Sequence, residues 1–138
     1  MYICSKISNQ SMDIKYLILS NSNVLVRVAV PDIAYISSDG SYSTMVLTDG
    51  RKHVFSFNLS AFEKLLESQL GLESQVFIRL GKSLIINSNY IYCINIPSQE
   101  LVLSGSRMGE GFTLSALREA LKSLKSMIEE NVKSRRLL

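Results

Sequence analysis

With 138 residues, 46% of them hydrophobic, the chain has the size of one ordinary domain and can bury a core without staples. A formal net charge of +3 is too small to announce a nucleic-acid ligand by itself, although it leaves room for a local basic face. Two distant cysteines, Cys4 and Cys93, and one histidine, His53, speak against a disulfide framework or a zinc site and fit a reduced, cytoplasmic setting.

Residues Met1 to Met12 are polar and mixed and read as a loosely held arm, without the basic start and apolar run of a secretory signal. Ile14 to Leu19 is the first candidate strand. Ser20-Asn21-Ser22-Asn23 then makes a turn cluster, and Val24, Val26, Val28 and Val30 alternate with other residues, which predicts a strand with one buried face. Arg27 interrupts this run, and no stretch approaches the roughly 20 apolar residues that a membrane span needs. A soluble chain with no membrane partner is expected.

Pro31-Asp32 opens a turn, Ile33 to Ser37 reads as extended until Asp39-Gly40, and Tyr42 to Leu47 is extended again. Thr48-Asp49-Gly50-Arg51 carries the Asp-Gly signal of a tight hairpin leading into His53 to Phe57. Ser60-Ala61-Phe62-Glu63 has the form of a capping box, followed by Leu65, Leu66 and Leu70 at helical spacing, which predicts a short helix packed on the sheet.

Two apolar runs, Val76 to Leu80 and Leu84 to Ile86, flank Gly81-Lys82-Ser83. A strand pair there would hold Lys82 and Ser83 at its edge, where an ammonium and a hydroxyl can donate hydrogen bonds to a phosphate or a base edge. The plainer reading of Lys82 is a solvated turn lysine. A phosphate-binding loop is rejected, because it needs a glycine where Val76 stands and a helix where Leu84 to Asn87 reads as a strand.

Tyr90, Tyr92, Ile94 and Ile96 alternate in turn, Pro97-Ser98-Gln99 leads into Glu100 to Leu103, and Gly105, Gly109 and Gly111 mark a loop that ends the strand series. Leu114, Leu117, Leu121, Leu124 and Ile128 then fall at intervals of three and four, predicting a helix into the 130s whose later half carries Lys122, Lys125, Lys133, Arg135 and Arg136. The expected class is mainly β, largely antiparallel, with a minor helical part. His53 stands alone, no acidic pair is brought together and no serine sits in a nucleophile elbow, so nothing argues for an enzyme or a cofactor.

Phe77-Ile78-Arg79, then Ser83 and Ile86-Asn87, followed by Asn89-Tyr90-Ile91, resemble the signature of the LytTR family of bacterial DNA-binding domains, with Gly81 and Lys82 where the family has His and Arg. The stretch from Ile33-Ala34-Tyr35-Ile36 through Ser38-Asp39-Gly40-Ser41-Tyr42 to Leu47-Thr48-Asp49-Gly50 is similar to the N-terminal part of the same pattern. The resemblance implies an elongated antiparallel β-sheet domain with one short helix and a C-terminal helix over residues 24–125. An arm and strand (1–23) would precede it and a basic helical extension (126–138) would follow.

It further implies a transcriptional regulator of response-regulator type that contacts double-stranded DNA through loops instead of a recognition helix. The contacts would be Ser41 and Tyr42, then Lys82 and Ser83 with Arg79 nearby, and then Ser115 at the opening of the last helix, where Arg118 is a displaced substitute for the family's arginines. The chain would be a stand-alone regulator or one governed by a protein partner. Several alternatives stay open: an interaction or oligomerisation module whose DNA contacts have decayed, a homodimer through the C-terminal helix, Tyr42 as a cross-strand partner, and Arg79 as an ion-paired anchor of the fold.

Overall fold

The computed structural model describes residues 15–137, so the readings of the N-terminal arm and of Cys4 lie outside the described residues. Strands β1 (Tyr16–Ser20) and β2 (Leu25–Ala29) form an antiparallel hairpin. Asn21 makes the turn, its Oδ1 accepting from the amides of Asn23 at 2.8 Å and Val24 at 2.9 Å. Val28 is buried as the alternation predicts, whereas Val24 falls in the turn and is 57% exposed.

The central sheet holds β3 (Ile33–Asp39), β4 (Tyr42–Leu47), β5 (Lys52–Phe55), β6 (Phe77–Leu80) and β7 (Leu84–Asn87) in the order β5-β4-β3-β7-β6. Every neighbouring pair in it is antiparallel. On one face lies α1 (Leu59–Leu70), whose Leu59, Phe62, Leu66 and Leu70 meet Ile36, Met45 and Ile85 together with Leu17, Leu19 and Val28 of the first hairpin. Gln69 clasps that hairpin: its side-chain amide donates to the Ile18 carbonyl at 2.7 Å and accepts from the Ile18 amide at 2.8 Å, as a neighbouring strand would.

On the other face, Ala34, Leu80, Leu84 and Ile86 pack against a three-stranded sheet and the second helix. That sheet is β8 (Ile91–Asn95), β9 (Glu100–Leu103) and β10 (Phe112–Ser115) in the order β10-β9-β8, and the helix, α2 (Arg118–Leu137), contributes Leu121 and Leu124. Because the central strands are covered on both sides, Ile33 to Ile36 and Leu84 to Ile86 are continuous apolar runs in place of polar alternation.

Two local readings are corrected. The cap of α1 is Asn58, whose Oδ1 accepts from the Ala61 amide at 2.9 Å, so Ser60 is already inside the helix. The glycine loop does not end the strands: after it the chain returns as β10 along β9, pairing Phe112 with Leu103 and Ser115 with Glu100. Leu114 therefore belongs to a strand and Leu117 to the connection, where it is 72% exposed, so only Leu121, Leu124 and Ile128 of the leucine series form the seam of α2.

Candidate nucleic-acid interface

The antiparallel order decides which turns meet. β3 ends and β4 begins at one end of the central sheet, and the β6–β7 turn lies at the same end, because Ser37 pairs with Leu84 and Asp39 with Tyr42. The Ser38 amide donates to the Ser83 carbonyl at 2.9 Å, extending the β3–β7 ladder into the turn. Ser41, Tyr42, Lys82 and Ser83 are thereby brought to one rim, all exposed, with Tyr42 at 52%.

Gly81 adopts φ +60, a left-handed conformation that glycine enters without cost and that lets β6 reverse into β7 over a short turn. Lys82 stands at the middle of this turn and, among the described residues, forms no ion pair or side-chain hydrogen bond. Asp39 is the acidic residue of the neighbouring tip, so the rim is mixed in charge and not a continuous basic strip.

Ser115 is exposed but ends β10, on a different sheet from the two tips. Arg118, also exposed, opens α2. The first turns of that helix approach the β6–β7 turn, since Leu117, Glu119 and Ala120 line one open groove with Leu80 and Gly81. The rim thus continues from the tips toward the helix start.

Arg79 is arranged otherwise. Its register opposite Ile85 puts the side chain on the face that α1 covers. There Nη1 donates to Glu63 Oε1 at 3.0 Å and to Ser60 Oγ at 3.5 Å, while Nε donates to the Gly81 carbonyl at 3.1 Å. Sequence reasoning misses Ser60 and Glu63 as its acceptors, because their spacing fits a helix cap equally well. It also gives Asn87 no task, yet its buried amide donates to the Ile33 carbonyl at 3.0 Å and its Oδ1 accepts from the Asn89 amide at 3.1 Å.

The groups whose protonation is clearly shifted lie away from the rim. The Arg51 amide, with help from its guanidinium, holds the Asp49 carboxyl below its usual range, and the Lys125 ammonium does the same to Glu129. Burial pushes the Tyr35 and Tyr90 hydroxyls up, and Tyr90 donates to the Pro31 carbonyl. Among the described residues no cluster of His, Cys, Asp or Glu could hold a metal ion, and no helix is long and apolar enough to cross a membrane. His53 sits on β5 with its ring stacked on Phe55.

The model of the LytTr DNA-binding domain family matches residues 23–129. Among solved structures, a LytTr DNA-binding domain from Bacillus cereus aligns with a TM-score of 0.58 at 18% identity, over 83% of this chain and 96% of that one, a likeness of fold. No curated protein sequence matches. With more than three quarters of the chain under the family's pattern, and with three antiparallel sheets and two α-helices among the described residues in a fold similar to that solved domain, this protein belongs to the LytTR family of DNA-binding domains.

Proposed function

We propose that the protein is a transcriptional regulator of the cytoplasm that grips duplex DNA with the rim formed by Ser41, Tyr42, Lys82 and Ser83, continued by Ser115 at the end of β10 and Arg118 at the start of α2. The observation that carries this reading is the Ser38–Ser83 hydrogen bond, which makes the two hairpin tips neighbours on one exposed edge. Lys82 supplies a point charge to a phosphate, and the hydroxyls supply directional hydrogen bonds. A bidentate arginine against guanine is worth roughly 1–3 kcal/mol of discrimination, and the rim tips carry no exposed arginine, so binding leans on phosphates more than on bases.

The test is Lys82→Ala, with affinity for a duplex measured by fluorescence anisotropy across a salt series. Binding should weaken, and the slope of log affinity against log salt should become shallower by about 0.9, the contribution of one neutralised phosphate. An unchanged slope would remove Lys82 from the interface. The rival reading, a protein-interaction module, draws on Leu117 and Met127, which are 72% and 42% exposed beside the groove at the helix start. Failure to retard any duplex at low salt would favour it.

A further inference from the structure

The turn that presents Lys82 is held at both of its ends by its own carbonyl groups. The Ser83 carbonyl accepts from the Ser38 amide at 2.9 Å, and the Gly81 carbonyl accepts from Arg79 Nε at 3.1 Å. The same guanidinium reaches into the first turn of α1, 3.0 Å from Glu63 Oε1 and 3.5 Å from Ser60 Oγ. Its side chain is only 25% exposed. A guanidinium offers its donors in one rigid plane, so these bonds fix the turn relative to the helix through a single side chain.

Such a hold has a physical reason. Gly81 lies at φ +60 with nothing within 4 Å of where a Cβ would be, so neither a side chain nor close packing restricts it. Beyond the Leu80–Leu84 pairing that closes the turn, the direction in which Lys82 points is then set by the contacts of Arg79 and Ser38.

We infer that Arg79 is a positioning residue for DNA contact: it locks the Gly81-Lys82-Ser83 turn to α1 through Glu63 and does not itself touch a phosphate. The inference rests on the reading of Lys82 and Ser83 as contacts. It makes a prediction opposite in sign to a direct role. Glu63→Gln removes a negative charge and loosens Arg79; were Arg79 a phosphate ligand, the variant would bind DNA at least as well as the parent, whereas a lost lock weakens binding.

The experiment uses the full chain, its Glu63→Gln and Arg79→Lys variants, and Lys82→Ala as the contact control. Anisotropy with a random-sequence duplex across a salt series is combined with amide hydrogen exchange at residues 81–83 without DNA. Both lock variants should bind roughly two- to tenfold more weakly, the worth of about one hydrogen bond, with the parental salt slope kept and with faster exchange in the turn. Lys82→Ala should alter the slope and leave exchange at neighbouring amides unchanged. Glu63→Gln binding as tightly as the parent, or turn amides that exchange at the parental rate, would overturn the inference. A parent chain that binds no duplex would overturn the contact reading and any role of Arg79 toward DNA, while accelerated exchange would still show the turn locked by that side chain.

Discussion

Gly81 and Gly111 both have positive φ, +60 and +81, but they answer different needs. At Gly81 the space is open, so Gly81→Ala pays only for the backbone conformation, about 1–2 kcal/mol. At Gly111 an added Cβ would lie 2.5 Å from the Leu103 carbonyl oxygen, and backbone cannot move aside as a flexible side chain can. Gly111→Ala should therefore cost more than Gly81→Ala, by about 1–3 kcal/mol, when urea midpoints of the two variants are compared. Equal midpoints would show that the loop before β10 yields without strain.

The residue scale is also where sequence was hardest to read. Ser60-x-x-Glu63 satisfies a capping pattern and equally well offers two acceptors on one face of a helical turn. What decides between them is Arg79, 16 positions away, and nothing local announces it.

Among the elements, the start of α1 illustrates how close two answers can be. Asn58 is as good a cap as serine and lies two positions earlier, and the backbone at Asn58 is extended, as a cap requires. Asn58→Ala should lower stability by about 0.5–2 kcal/mol in denaturant unfolding. Ser60→Ala, which loses only a 3.5 Å contact to Arg79, should lower it less. The reverse order would restore the capping-box reading.

β10 was illegible for a related reason. Leu114 and Leu117 stand at helical intervals from Leu121, so periodicity alone extends the helix backwards. Only pairing with β9, reached through the loop that closes at Gly111, selects the strand. By contrast β4 begins and ends where its sequence indicated, Tyr42–Leu47, because turn residues bracket it on both sides.

At the scale of the molecule, the class and the family were readable because short apolar runs and turn signals alternate along the chain, and because two separated motif blocks fit one pattern. Which turns meet was not readable. Strand order β5-β4-β3-β7-β6 inserts β7 beside β3 across nearly fifty intervening residues, and such a long-range pairing leaves no periodic trace. The rim exists because of that insertion. Two core clusters, one on each face of the central sheet, then hold the inserted strand from both sides through Ile85 and Ile86.

A main-chain bridge between Ser38 and Ser83 also has a mechanical meaning. Under the proposed grip, fingers that share a knuckle resist spreading, so whatever curvature a good fit demands would be left to the nucleic acid, whose bending is expensive when its backbone is whole. A duplex nicked once near its centre, free to hinge there, should bind more tightly than the intact duplex of identical sequence. Equal affinity in parallel titrations would mean that straight DNA already fits the grip.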